Sequence, residues 1–162
     1  MINETSGLTV AWMNNELTQR LQTDAILSCN EITSVYGLML TERQAAALAE
    51  TCLETLQKTG RIELGESAVQ KLILCFCDSP YLSKDNYEAA LHELIELFYN
   101  FKNDVSDSIG DDLLINYMKQ NFDGVCHGSL ELLADNALPL LARKINECRL
   151  GHPFEITGAG DE

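Results

Sequence analysis

The sequence predicts an all-α fold, a single-domain bundle or orthogonal array of six or seven helices. Three observations carry this. Apolar residues recur at steps of three and four along most of the 162 residues, alternation at period two is nearly absent, and Gly, Ser/Thr and Pro signals cut the pattern into short segments.

The first segment follows Asn14 and Asn15. Leu17, Leu21, Ala25, Cys29, Ile32 and Tyr36 fall on one helical face, expected to be the buried one, and Gly37 closes the helix. "TERQ", Thr41 to Gln44, reads as a capping box, in which hydroxyl and amide each satisfy an orphan N–H of a new helix. That helix is expected to bury Ala45, Leu48, Ala49, Cys52, Leu53 and Leu56 and to end at Gly60, with Lys58 at the favourable dipole end. "RIELGES", residues 61–67, is a connector in which Ile62 and Leu64 could be extended.

A third helix is expected near 67–77. Val69, Leu72, Ile73 and Phe76 keep the helical step while Leu74, Cys75 and Cys77 fill the other sides, so it should lie buried at the centre of the bundle. Ser83 reads as the cap of a fourth helix with Tyr87, Leu91, Leu94, Ile95, Phe98 and Phe101 on one stripe, His92 at its flank. "NDVSDSIGDD", residues 103–112, reads as a solvated acidic turn. Ser108 and Asp111 look like the capping box of a fifth helix carrying Leu113, Leu114, Tyr117, Met118 and Phe122. "DGVCHGS", residues 123–129, is a glycine-bracketed turn. A final helical stretch, 129–149, contains Pro139, which predicts a kink or a break near Asn136 to Pro139. Residues 1–150 are expected to form one domain, with 1–13 loosely ordered and 151–162 a flexible tail.

Composition narrows the function classes. The apolar fraction is 46% and the net charge −14, half of it in residues 103–162, where 11 acidic face 4 basic residues. Binding a phosphate backbone or an anionic membrane needs Lys and Arg, so neither nucleic acid nor membrane is the expected partner. The first residues lack a secretory pattern, and no apolar run approaches the roughly 20 residues of a membrane span. Six cysteines without an export signal suit reduced thiols in the cytoplasm.

The conspicuous pair is Cys75-x-Cys77. Two steps along a helix is a rotation of about 200°, which sends the thiols to opposite sides and away from any shared metal. No cofactor and no metal ligand set is expected. The acidic turn fails as a calcium loop, because its glycine and its terminal carboxylate fall at the wrong positions. "DSPY" holds more interest. Either Asp78 or Ser79 caps a turn with Pro80 pre-set behind it, or Asp78 and Tyr81 face a ligand. "GVCHG" sets Cys126 beside His127, and sequence neighbours seldom converge as a catalytic pair. Asp78, Ser79, Tyr81, Cys126 and His127 are therefore the candidate pocket, should the two turns meet.

The strings "FCDSPY" (76–81), "FYNFKND" (98–104) and "GVCHGSLELL" (124–133) resemble a family of uncharacterised proteins of about this size from Gram-positive anaerobic bacteria, over residues 24–149. The resemblance implies no activity, cofactor or partner. The residues favour a non-enzymatic cytoplasmic protein-interaction or adaptor module with an acidic surface, with self-association open. The alternative is a small-molecule binder or enzyme whose pocket is formed by the DSPY and GVCHG turns.

Overall fold

The computed structural model describes residues 16–61, 63 and 67–149. It is all-α, and among the described residues there is no strand. Helix α1 covers 16–28 and passes through a turn at Cys29 into α2 (Asn30–Thr33) and a 3-10 turn, Ser34–Tyr36. Then come α3 (Glu42–Lys58), α4 (Ala68–Phe76), α5 (Tyr87–Asp104) and α6 (Asp111–Asp123). A short α7 (Leu130–Leu132) runs through a π-turn, Leu133–Ala137, into α8 (Leu138–Arg149). The expectations for residues 1–13, Ile62, Leu64 and the tail 151–162 lie outside the described residues.

Two interleaved pairs organise the core. Helix α3 runs alongside α5 in the same direction, with Gln44 meeting Glu88 and Cys52 meeting Tyr99. Helix α4 runs alongside α6 likewise, through Lys71–Asp112, Cys75–Asn116 and Asp78–Lys119. Same-direction neighbours cannot be joined by a tight loop, so each pair is separated in sequence by a helix of the other. The centre is filled by Leu48, Leu72, Phe76, Leu91, Leu94, Ile95, Phe98, Tyr99, Met118 and Phe122.

Local signals hold at several points. The Thr41–Gln44 capping box forms both bonds, at 3.1 and 2.9 Å. Gly37 adopts the left-handed conformation that ends the 3-10 turn, φ 77°. Ser67 caps α4 through Val69 N, at 3.1 Å.

Other expectations are corrected. Helix α5 begins at Tyr87 behind Asn86, and Ser83 instead donates its backbone N–H to the Asn86 side chain. Helix α6 has Gly110 at its cap, and the Ser108 hydroxyl turns back to the Val105 carbonyl. Leu113 is exposed. Helix α4 is not apolar-buried all round. Ala68, Val69, Leu72, Ile73 and Phe76 are buried against α5 and α6, whereas Leu74 faces solvent.

The irregularity expected near Asn136 to Pro139 is present as the π-turn Leu133–Ala137, which separates α7 from α8 just before Pro139. The π-turn immediately before it widens the hydrogen-bonding step and absorbs the missing N–H and the ring. Tyr117 donates to the Ala137 carbonyl at 2.7 Å, which pins this irregular stretch to α6.

The largest correction concerns α1 and α2. Of the expected stripe only Cys29 is buried, and its buried companions are Ile26 and Thr33. The reason lies downstream. Asn30 pairs through both side-chain groups with the backbone of Leu40, each at 2.9 Å. Thr33 Oγ1 donates to the Leu38 carbonyl at 2.7 Å. These bonds fold residues 37–40 back over α2, bury Leu38 and Leu40, and set the rotation of the helix.

Candidate functional site

The DSPY and GVCHG turns meet. A Cβ on Gly128 would lie 2.4–2.6 Å from the Tyr81 Cβ, Cγ and Cδ1 atoms. Gly128, at φ 79°, is therefore the floor on which the Tyr81 ring rests, and the same ring meets Phe122 edge-on at 6.1 Å. The space between the turns is occupied by that ring. The grooves whose linings are described lie elsewhere, beside α1 and α3, along α8, and between α1 and α4.

Asp78 is neither a helix cap nor unpaired. Its Oδ1 accepts from Lys119 Nζ at 2.7 Å, and the same ammonium reaches Asp123 Oδ2 at 2.7 Å. Burial works against the Lys119 charge, but the hydrogen bonds to Asp123 and Asp78 outweigh it and raise its pKa above the ordinary value. Ser79 is buried. Its hydroxyl donates to Asp123 Oδ1 at 2.6 Å and accepts from Tyr81 N at 3.2 Å, so Ser79 caps the turn that leads through Pro80. Asp78, Ser79, Lys119 and Asp123 thus form one network that ties the end of α4 to the end of α6.

Cys126 and His127 diverge. Cys126 is buried, and burial raises the pKa of its thiol. His127 is exposed, with its backbone in the left-handed region at φ 49°. Neither shares a described hydrogen bond between side chains with Asp78 or Tyr81.

Cys75 and Cys77 also separate. Cys75 Sγ lies 3.8 Å from Asn116 Oδ1, on the side of Lys119. Cys77 donates to the Leu74 carbonyl and lies on the side of Cys29 and Tyr87. Burial pushes the Cys29 thiol to about 11, with Cys77 adding to it. Burial likewise pushes Cys52 to about 12. Among the described residues no three His, Cys, Asp or Glu side chains converge to hold a metal ion.

Three arrangements escaped the sequence reading. Lys102 is buried. Its ammonium donates to the Ile109 carbonyl at 2.7 Å and pairs with Asp111 at 2.7 Å and Asp107 at 3.6 Å. Arg61 reaches Asp107 from the other side, at 2.6 Å. The acidic turn is thus a wrap around a buried cation, and Ser106 and Asp107 accept left-handed φ values of 53° and 59° to make it.

A polar chain also crosses from α3 to α5. Gln44 Nε2 donates to Glu88 at 3.2 Å, Glu88 lies 3.3 Å from His92 Nε2, and His92 Nδ1 lies 2.7 Å from the Thr51 hydroxyl.

The third arrangement is the unexpected face of α1 and α2. Leu17, Leu21, Ile32, Val35, Tyr36 and Met39 are 52–79% exposed, half of the large apolar side chains at the described surface. They fall in two groups, Leu17 and Leu21 on α1 and Ile32, Val35, Tyr36 and Met39 beyond the turn at Cys29, with the exposed Ser28 between them. Asp24 and Glu31 flank them, and both are exposed. The signal was legible, since these residues are most of the stripe read from the sequence, but its orientation was not.

Residues 25–150 match a family of unknown function (DUF6323). No curated protein and no solved structure matches the chain. No helix among the described residues is long and apolar enough to cross a membrane.

Proposed function

The chain belongs to that family of unknown function, whose members thereby assign it no reaction, and from this premise we propose that it is a non-enzymatic protein-interaction module with an acidic surface. A cytoplasmic setting, which the six free cysteines support, and a protein partner complete the reading. The observation that carries it is the set of exposed apolar side chains on α1 and α2. Exposed apolar side chains gathered on one element and flanked by charge are what protein partners bury. The net charge of −14, with Asp24 and Glu31 beside these side chains, selects a partner of complementary chemistry: an amphipathic helix with Lys or Arg flanking its apolar face.

The test uses a labelled synthetic Leu/Lys amphipathic peptide in fluorescence anisotropy. Binding that weakens about tenfold in the Leu21→Glu/Val35→Glu variant, and not in Leu113→Glu, supports the reading. No binding, or equal loss in both variants, refutes it. All three positions are exposed, so the fold should tolerate the changes.

One observation favours a second reading, a small-molecule binder or enzyme using Asp78, Ser79, Tyr81, Cys126 and His127. The DSPY and GVCHG turns touch, through Tyr81 and Gly128. A ligand there requires the Tyr81 ring to swing away from Gly128. Under this reading Tyr81→Ala makes Cys126 accessible to a thiol reagent in the folded protein. A Cys126 that stays closed in that variant refutes it.

A further inference from the structure

We propose that the groove between α1, α3 and α4 is a binding site for a primary alkylammonium group, held by the carboxylate of Glu63. The site lies apart from the DSPY and GVCHG turns and stands independently of the interaction reading.

The groove has a volume of about 240 Å³. Sites for drug-sized ligands run from roughly 300 to 1,000 Å³, so its occupant is small. Ala25 of α1 and Leu53 and Leu56 of α3 give it apolar walls. Glu63 is the one charged residue among those that line it.

The carboxylate is oriented in advance. Tyr99 is fully buried, and its hydroxyl donates to Glu63 Oε2 at 2.5 Å. Burial raises the Tyr99 pKa well above its ordinary value, so the hydroxyl stays a donor. Ala68 N donates to the same oxygen at 3.4 Å. A group held this way loses little freedom when a ligand binds.

The unused atoms define the ligand. Both bonds fall on Oε2, so Glu63 Oε1 accepts no hydrogen bond among the described residues, and Glu63 forms no ion pair among them. Gln22 spends its Nε2 on Ser67 Oγ at 3.0 Å, which leaves its Oε1 without a described donor. The Gln70 amide, on the first turn of α4, has no described hydrogen bond. The groove thus offers a carboxylate oxygen and two amide oxygens. An alkylammonium brings three N–H donors and no acceptor, with an apolar stem for the leucine wall.

Other occupants fit less well. An anion meets the Glu63 charge, and the first N–H groups of α4 are already taken by Glu63 and Ser67. A divalent cation needs several oxygen ligands and would find one carboxylate. A quaternary ammonium has no N–H to give.

The probe is n-butylammonium, a lysine side chain without its backbone. It is titrated into the ¹⁵N-labelled full chain and followed by amide chemical shifts, with n-butanol and sodium chloride as controls. Saturable shifts at Gln22, Leu53 and Gln70 are expected, absent from both controls. Glu63→Gln keeps an acceptor for Tyr99 and Ala68 but removes the charge, and should weaken binding about tenfold or more. Gln70→Leu breaks no described hydrogen bond and should weaken it about threefold. Circular dichroism confirms the fold of each variant. Unchanged affinity in Glu63→Gln, or in Gln70→Leu should Glu63→Gln fail to fold, overturns the proposal. So does a lack of saturable shifts, or their appearance with n-butanol.

The Leu/Lys peptide distinguishes two sources of the ammonium. If it displaces n-butylammonium and binds Glu63→Gln more weakly, the group is a lysine side chain of a docked partner. If peptide and n-butylammonium bind together, the group is a free amine. Both results support the site.

Discussion

Replacing Gly128 with Ala tests the junction between the DSPY and GVCHG turns. Two separate costs are expected. Gly128 sits at φ 79°, where an alanine carries about 1–2 kcal/mol of backbone strain. The new methyl would also stand 2.4–2.6 Å from three Tyr81 carbons, about 1 Å inside normal carbon–carbon contact. Overpacking of that kind costs about 1–3 kcal/mol. Tyr81 is 36% exposed, so its ring can swing outward at the loss of the Phe122 edge contact, about 0.5–1.5 kcal/mol. The lower end of the clash therefore applies, and the total is about 2–3 kcal/mol. Urea unfolding of Gly128→Ala, Tyr81→Gly and the double variant separates the two costs. With Tyr81 reduced to glycine all three clashing atoms are gone, and Gly128→Ala should cost only its backbone strain. A coupling of about 1 kcal/mol is thus expected. If Gly128→Ala costs the same in both backgrounds, within about 0.5 kcal/mol, Tyr81 does not rest on Gly128 and the junction is misdescribed.

Two further outcomes follow from buried groups. Lys102→Met should lower stability by about 2–3 kcal/mol in thermal or urea unfolding, because the Ile109 carbonyl loses a charged donor while the exposed Asp107 and the half-buried Asp111 regain water; a loss below about 1 kcal/mol would show that the turn does not depend on its cation. Stability should also fall at alkaline pH. Cys29 and Cys52 have folded pKa values raised from 9.0 to about 11 and about 12, so their contribution is complete below pH 9 and is lost as pH rises through the folded values. At about 1.4 kcal/mol per unit and group, the two together remove about 3 kcal/mol by pH 10. Cys29→Ala/Cys52→Ala should flatten the pH dependence of the urea midpoint, and an unchanged slope would count against thiol burial.

The chain divides into helices where its sequence says it does, and the physical reason is range. The Thr41–Gln44 box, the Ser67 cap and the glycine at 37 act within four residues, so their effect is written locally. Divergence of Cys75 and Cys77 follows from helical rotation alone, and the local rule sufficed there too. The failures come from competition between partners, most of them equally near. Ser83, Ser108 and Asp111 have the composition of caps, yet each is claimed by a competing bond, to Asn86, to the Val105 carbonyl, and to Lys102.

The sequence by itself determined the all-α class, most helix boundaries and the apolar stripe of residues 17–36. Only the tertiary structure decided which way that stripe faces. Two faces of α1 and α2 were apolar enough to bury, and Asn30 and Thr33 settled the choice by holding residues 37–40 over one of them. The same holds for Asp78. Its sequence neighbours allowed a cap or a ligand contact, and Lys119, 41 residues away, made it a member of an interhelical network instead. Hydrophobic periodicity states that a face is apolar, but its burial depends on partners brought from elsewhere in the chain.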